Sequence, residues 1–227
     1  MIDFSKIREC SMKMQPFRWA EISDLYSKAD CAALSKTYPH DHFRTVEAYG
    51  GEKDYRYDAR SLIPMGEQTI SHAESLSPYW YQLAQDLLSA EYRIAMSSIT
   101  GIDLTSLPME AHVYHYGPGA LLGPHRDLPE KIVTHVFYFN DKWHPMDGGC
   151  LAILNSSDAK DVAALVNPTI GNSATFVRSD TSWHEVTRVS ELATQSRRSV
   201  TVTFYQPGSI SSMWPPGVDM ELHDYQG

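Results

Sequence analysis

In parts of the first 105 residues, apolar side chains recur every three or four positions, the period of a helix with one buried face. A serine precedes each of these stretches, and a serine side chain can cap the free amide groups at a helix start. A proline or a glycine follows two of them and favours a stop. Three helices are therefore predicted: Ser27 to about Tyr38, a second that opens at Ser77-Pro78, and about Ser89 to Thr100.

From about Glu110 the period changes to two, so that apolar and polar side chains alternate as in a strand. The segments are short, rich in aromatic and β-branched residues, and separated by turns that contain glycine. Such strands indicate an antiparallel sandwich or barrel, and helices packed on one face make the fold α+β. Five strands are predicted: 112–116, 133–139, 150–154, 174–178 and 197–205.

The composition, 42% hydrophobic and 21% charged, is that of an ordinary globular protein. A chain of 227 residues without repeats or linkers is expected to form a single domain over 1–227. Within it we distinguish helical support and a substrate region (1–105), a β core (106–206) and a tail (207–227).

The net charge of −9 disfavours a nucleic-acid partner, because phosphate binding needs a surface rich in lysine and arginine. No window approaches the roughly 18 uninterrupted apolar residues of a membrane span. The N-terminal residues lack the apolar core of a secretory signal, and three separated cysteines suit a reducing compartment. We therefore expect a cytoplasmic protein with a small-molecule substrate and no nucleic-acid or membrane partner. The sequence predicts no oligomeric state.

His125 and Asp127 are the strongest chemical signal. On a strand, residues two apart face the same side, so both can reach one ion while Arg126 points away. His184, after a predicted strand, supplies a third donor. Two imidazoles and one carboxylate on one face of an octahedral iron(II) leave positions open for a cosubstrate and dioxygen. The alternative is that these are ordinary solvated or structural histidines, since ten histidines give many accidental pairs.

Arg197 lies at the start of the last predicted strand, where a buried cation without a partner would be very costly. A bound dicarboxylate supplies that partner, because guanidinium and carboxylate form two parallel hydrogen bonds. Strand alternation places Arg197, Ser199 and Thr201 on one face, which would line a cavity. The neighbouring Arg198 is the alternative, although the strand face favours Arg197.

Five segments in a fixed order carry a resemblance to a known family. They are Tyr116 to Asp127, Val136 to Trp143, Asp147 to Leu151, Ser179 to Val186, and Arg197 with Thr201. Over about residues 110–206 the chain resembles the Fe(II)/2-oxoglutarate-dependent dioxygenases, specifically the prolyl-4-hydroxylase-like branch. The resemblance implies a double-stranded β-helix (jelly-roll) core, with N-terminal helices packed on one sheet and iron at one mouth.

The resemblance also implies roles for residues near the iron. Arg197 would bind the distal carboxylate of 2-oxoglutarate, assisted by the hydroxyl groups of Tyr138 and Thr201. Leu151 would pack on the cosubstrate, and Tyr116 would reach its metal-proximal end or the substrate. The cofactors implied are iron(II), 2-oxoglutarate and dioxygen, with ascorbate as the reductant in vitro.

The expected reaction is hydroxylation of an unactivated carbon, with 2-oxoglutarate converted to succinate and CO2. Desaturation and cyclisation remain open, whereas Asp127 disfavours halogenation because it fills the place of a halide. The alternatives are a hydroxylase of a peptide or protein side chain, and a non-oxidative, cupin-like protein that binds a metal or ligand. Arg197 and Tyr138 argue against the cupin-like protein, since a metal store needs no dicarboxylate clamp.

A small substrate with an anionic group is expected, of the amino-acid or N-acyl amino-acid type. The segment 50–60 is interpreted as a polar loop in which Arg56 and Arg60, interleaved with tyrosines, suit a carboxylate on an apolar body. The alternative is an ordinary solvated loop or strand. If neither arginine contributes, the aromatic, Pro-rich tail at 213–216 is the next candidate.

Overall fold

The computed structural model describes residues 1–226. This part of the chain contains four α-helices and a predominantly antiparallel set of strands. The helices are α1 (Phe4–Glu9), α2 (Lys28–Lys36), α3 (Pro78–Leu88) and α4 (Ala90–Thr100). The strands are β1 (Trp19–Ile22), β2 (Arg44–Ala48), β3 (Tyr55–Ile63), β4 (Met109–Tyr116), β5 (Leu121–His125), β6 (Lys131–Tyr138), β7 (Leu151–Leu154), β8 (Val162–Val166), β9 (Ser173–Val177), β10 (His184–Val186) and β11 (Arg197–Tyr205).

The predicted helix starts are confirmed by their caps. The side chains of Ser27, Ser77 and Ser89 each accept a hydrogen bond from a backbone amide in the first turn of the helix that follows. At the end of α4, Gly101 adopts a left-handed conformation (φ +66°), which glycine enters without a steric penalty. These boundaries follow from local chemistry, and for that reason the sequence predicts them well.

The strands form one sheet that folds over on itself into a nearly closed barrel. Their order is β1-β9-β6-β11-β4-β3-β5-β10-β7-β8, with β2 attached to β3, and every pairing is antiparallel. Along one side, β3 pairs first with β5 and then with β4, so it joins the two halves of the barrel. The predicted α+β fold with a jelly-roll core is confirmed.

The helices cover the outer face of β4, β6 and β11. Alternate residues of these strands are apolar and pack with the apolar face of α3 and α4, whereas the residues between them turn into the barrel. The outer-face core includes Val113, Phe137, Val200, Val202 and Phe204 from the strands, with Trp80, Leu83, Leu87, Tyr92 and Met96 from the helices. The barrel interior is left more polar, and it holds the site described below.

The N-terminal segment contributes strands as well as helices. The interpretation of 50–60 as a polar loop is wrong from Tyr55 onward, because this residue begins the nine-residue strand β3. The local composition conceals the strand, since its three partners, β2, β4 and β5, are distant in sequence or unpredicted. Tertiary pairing outweighs the weak local preference here.

The tail after β11 returns along the barrel. His223 forms a β-bridge with Phe43, and the ring of Tyr225 stacks on His115 with centroids 3.8 Å apart. This path brings Ser212 and Met213 to the cavity mouth. None of the helices within residues 1–226 has the length and apolar character needed to cross a membrane.

Candidate active site

A cavity of about 580 Å³ opens at one mouth of the barrel. Its walls come from both halves of the barrel, from the segment before β3 and from the tail. The volume falls within the range of ordinary small-molecule sites, roughly 300–1,000 Å³. It is larger than a small dicarboxylate alone would fill, so a second molecule fits beside it.

Three potential metal donors converge in this cavity. His125 ends β5 and lies directly opposite His184, the first residue of β10, while Asp127 follows β5 by two residues. The candidate ligand atoms of all three lie within 4.8 Å of one another. The structure thus brings together the three residues singled out by the strand parity and by the order of segments.

Backbone carbonyls fix the orientation of both imidazoles. Nδ1 of His125 lies 2.9 Å from the carbonyl oxygen of Gly123, and Nδ1 of His184 lies 2.9 Å from that of Ser182. A carbonyl can only accept, so Nδ1 carries the proton in each ring and the lone pair is left on Nε2. This is the tautomer that leaves Nε2 available to a metal.

The protonation states suit a divalent cation. Burial lowers the pKa of His125 and His184, which keeps both imidazoles neutral. Burial acts in the opposite sense on Asp127, but the ammonium of Lys131, by its charge and its hydrogen bond, holds the pKa of the Asp127 carboxyl far below the usual range. Metal binding requires neutral histidine and ionised carboxylate, so this donor set fits iron(II) without further deprotonation.

Two residues of the β6 segment hold the carboxylate of Asp127. Nζ of Lys131 lies 2.8 Å from Oδ1, and the hydroxyl of Thr134 donates to Oδ2 at 2.7 Å. Asp127 lies just beyond β5, where its backbone is not paired with another strand, so these two bonds orient its side chain. The charge-assisted bond from Lys131 is the stronger kind.

Arg197 lies at the other end of the cavity and is only 1% exposed. Its guanidinium lies over the rings of Tyr116 and Tyr138, at 4.9 and 5.3 Å from their centroids, and donates one bond of 2.8 Å to the Ser199 hydroxyl. Within residues 1–226, neither Nε of Arg197 nor the hydroxyl of Tyr138 has a hydrogen-bond partner. Two unsatisfied donors beside a buried cation form a receptor for a carboxylate.

The remaining cosubstrate positions also reach the cavity. Thr201 and Leu151 line it, as does Tyr116. Arg198, by contrast, points to the outer face, where its guanidinium lies 5.5 Å from the Tyr38 ring centroid and donates to a carbonyl of α2. Strand alternation therefore selects Arg197 as the arginine inside the barrel.

The two arginines predicted to bind substrate do not line the cavity. Arg60 is fully buried, where it donates to the backbone carbonyl and Oδ1 of Asp41 and to the Ser75 hydroxyl. The side chain of Arg56 is 58% exposed and pairs with Glu47 at 3.7 Å. Both occupy the face of β3 that is turned away from the cavity, whereas Tyr55 and Tyr57, one position out of phase, line it.

Sequence reasoning missed Lys53 and Trp183, which line the cavity. The tyrosines beside Arg56 and the tail at 213–216, both considered for the substrate, do reach the cavity through Tyr55, Tyr57 and Met213. Lys53 carries no local signal, because a loop position reaches the site only through the fold.

A jelly-roll barrel with a His-Asp-His cluster and a buried arginine without a counter-ion is the arrangement expected of a metal-dependent oxygenase that uses 2-oxoglutarate. Residues 111–205, which contain β4 to β11, match the family model of the 2OG-Fe(II) oxygenase superfamily. Through this segment the chain is similar to that superfamily, whose members are oxidoreductases. Its members use iron(II), 2-oxoglutarate and dioxygen, and the donor set described above fits that use.

Solved structures agree on the fold. A Pseudomonas putida prolyl-4-hydroxylase is 22% identical, with a TM-score of 0.53 over 83% of this chain and 92% of that chain. A prolyl 4-hydroxylase from Phytophthora capsici is 15% identical, with a TM-score of 0.58 over 91% and 66%. The Arabidopsis thaliana dioxygenase for auxin oxidation is 14% identical, with a TM-score of 0.56 over 90% and 88%. No curated protein matches the chain.

Proposed function

We propose that the chain hydroxylates an unactivated carbon of a small substrate that carries an anionic group, of the amino-acid or N-acyl amino-acid type. In this reaction a C–H bond of the substrate becomes C–OH, while 2-oxoglutarate loses CO2 and becomes succinate. One atom of dioxygen enters the hydroxyl group and the other enters succinate, so atoms and electrons balance.

Arg197 is the observation that carries the use of 2-oxoglutarate. A cation this deeply buried is costly unless it is paired, and no described carboxylate pairs with it. The distal carboxylate of 2-oxoglutarate would accept hydrogen bonds from the guanidinium and from the Tyr138 hydroxyl. Burial raises the pKa of Tyr138, so this hydroxyl keeps the proton that it would donate.

The residues of the chain bind and orient the reactants. His125, Asp127 and His184 would hold the iron(II), which when bound supplies the redox chemistry that activates dioxygen. The carbonyls behind the two imidazoles fix their orientation, and Lys131 and Thr134 fix that of the carboxylate. Leu151 and the tyrosine rings exclude water from the cosubstrate end of the cavity.

Hydroxylation of a peptide or protein side chain is the second candidate. It is supported by solved structures of the same fold that include prolyl hydroxylases, one of them in complex with a peptide fragment. A cupin-like binding protein has less support, since it would not need the unsatisfied donors of Arg197 and Tyr138.

Succinate formation is the first test. Protein loaded with iron(II), 2-oxoglutarate and ascorbate is expected to form succinate, slowly alone and faster with a correct substrate. Amino acids, their N-acyl derivatives and short peptides are then screened by mass spectrometry for the gain of one oxygen atom. Absence of succinate from protein that has bound both metal and 2-oxoglutarate refutes the oxidative function, and oxygen gain only in peptides favours the second candidate.

A further inference from the structure

Five cationic side chains line the cavity, and four of them have partners. Lys131 pairs with Asp127, Arg178 pairs with Asp180, Arg126 lies over the Trp183 ring, and Arg197 donates to Ser199. Lys53 is the fifth, and within residues 1–226 its ammonium forms neither a hydrogen bond nor an ion pair. The carboxylates of Asp127 and Glu52 favour its charge without pairing with it, so this half-buried cation is available to an anionic ligand.

Backbone pairing holds Lys53 beside the metal donors. The start of β3 pairs with β5, so the amide of Gly123 donates to the carbonyl of Asp54 at 2.9 Å. Gly123 permits this approach, because a Cβ there would lie 3.3 Å from that carbonyl oxygen and 4.0 Å from the Cβ of Lys53. The stem of Lys53 therefore lies along β5, near the strand end that carries His125.

The Lys53 side chain carries its positive charge at neutral pH. Burial lowers the pKa of Lys53 to about 8, and the nearby Lys131 ammonium acts in the same sense. At neutral pH the side chain is still mostly protonated, because the pH lies below this pKa.

A wall of tyrosines faces the same space. The ring centroids of Tyr55 and Tyr57 are 5.9 Å apart, and those of Tyr57 and Tyr114 are 5.4 Å apart. All three line the cavity together with Met213 from the tail. Burial raises the pKa of Tyr57 and Tyr114, so these rings stay neutral and offer an apolar surface.

We propose that Lys53 anchors the substrate by its carboxylate, with an apolar or aromatic body lying against Tyr55, Tyr57 and Tyr114. One ammonium matches the single charge of a carboxylate, and the opposite end of the cavity is left to Arg197 and the cosubstrate. The inference rests on the proposed function and deepens it, because it assigns the anionic group to Lys53 in place of Arg56 and Arg60.

Paired probes test the anchor directly. 3-Phenylpropionate and N-acetylphenylalanine, each beside its neutral amide, are titrated by calorimetry into protein loaded with iron(II) and 2-oxoglutarate without dioxygen. The wild type is expected to bind the acids about tenfold or more tightly than the amides, the effect of one charge-assisted contact. Lys53→Gln should lose this preference, while Lys53→Arg and the exposed-loop control Lys160→Gln should retain it.

The outcomes separate this inference from the proposed function. Wild-type protein that binds no iron or 2-oxoglutarate, or forms no succinate, refutes the proposed function before any probe is added. With that function intact, the anchor is overturned if the wild type does not prefer the acids or if Lys53→Gln keeps the preference. It is also overturned if Lys53→Gln weakens 2-oxoglutarate binding as much as acid binding, since Lys53 would then serve the cosubstrate. The melting temperature of each variant verifies that it is folded.

Discussion

Replacing Arg197 by leucine removes the guanidinium from the cosubstrate end of the cavity and leaves a side chain of compatible length. The lost interaction is a charge-assisted pair of hydrogen bonds in a nearly water-free site, where Arg197 is 1% exposed. Hydrogen bonds to charged groups contribute about 1.5–3 kcal/mol, which corresponds to a roughly 10- to 150-fold weaker affinity for 2-oxoglutarate. Iron binding should be unaffected, because the three donors lie at the other end.

Arg198→Leu is the matched control. Arg198 is adjacent in sequence, yet its side chain lies on the outer face against Tyr38 and α2. Calorimetric titration of 2-oxoglutarate into the metal-loaded variants, with metal content measured in parallel, should show the loss only for Arg197→Leu. Without 2-oxoglutarate, Arg197→Leu should not lower the melting temperature, because burying this cation without a counter-ion costs at least as much as its bond to Ser199 contributes.

The reverse pattern would refute this reasoning. If Arg198→Leu weakened 2-oxoglutarate binding and Arg197→Leu did not, the side chains of β11 would alternate in the opposite phase, with Arg198 inside the barrel. An equal loss in both variants, together with lower melting temperatures, would point to general damage of β11. Arg197→Lys adds a finer measure, since it keeps the charge but loses the two parallel bonds, and its affinity should lie between the other two.

Three further predictions concern the metal donors and a buried histidine. His125→Ala and His184→Ala should each lose most bound iron while remaining folded; unchanged metal content by elemental analysis would contradict the assignment. Asp127→Gly should lose most hydroxylase activity, and unmodified protein in chloride buffer should yield no chlorinated product by mass spectrometry. Burial lowers the pKa of His135 to about 3. As the pH falls, this histidine therefore takes up a proton in the unfolded chain at a higher pH than in the folded chain. The free energy of unfolding should fall between about pH 6.5 and pH 3, by about 1.4 kcal/mol per pH unit for one such histidine. His135→Gln should flatten this slope in denaturant titrations, and an unchanged slope would exclude His135 as its source.

Lys53 and Arg60 illustrate why the substrate end of the cavity was poorly predicted. Both lie in one short polar stretch, and sequence alone gives no reason to prefer either as a ligand for an anion. The pairing of β3 with β4 and β5 turns Arg60 into a buried structural residue and brings Lys53 to the cavity. Met213 is a similar case, because its position depends on the path of the tail along the barrel.

The sequence by itself determined the features that depend on neighbouring residues. Serine caps and a terminal glycine set the helix ends, and the two-residue period put His125 with Asp127 and turned Arg197 inward and Arg198 outward. The tertiary structure decided which elements meet: it paired β10 with β5, which brings His184 to His125, and it inserted β3 between the two halves of the barrel. The physical reason is that alternation and capping act over a few residues, whereas strand partners are chosen by the burial and hydrogen bonding of the whole sheet.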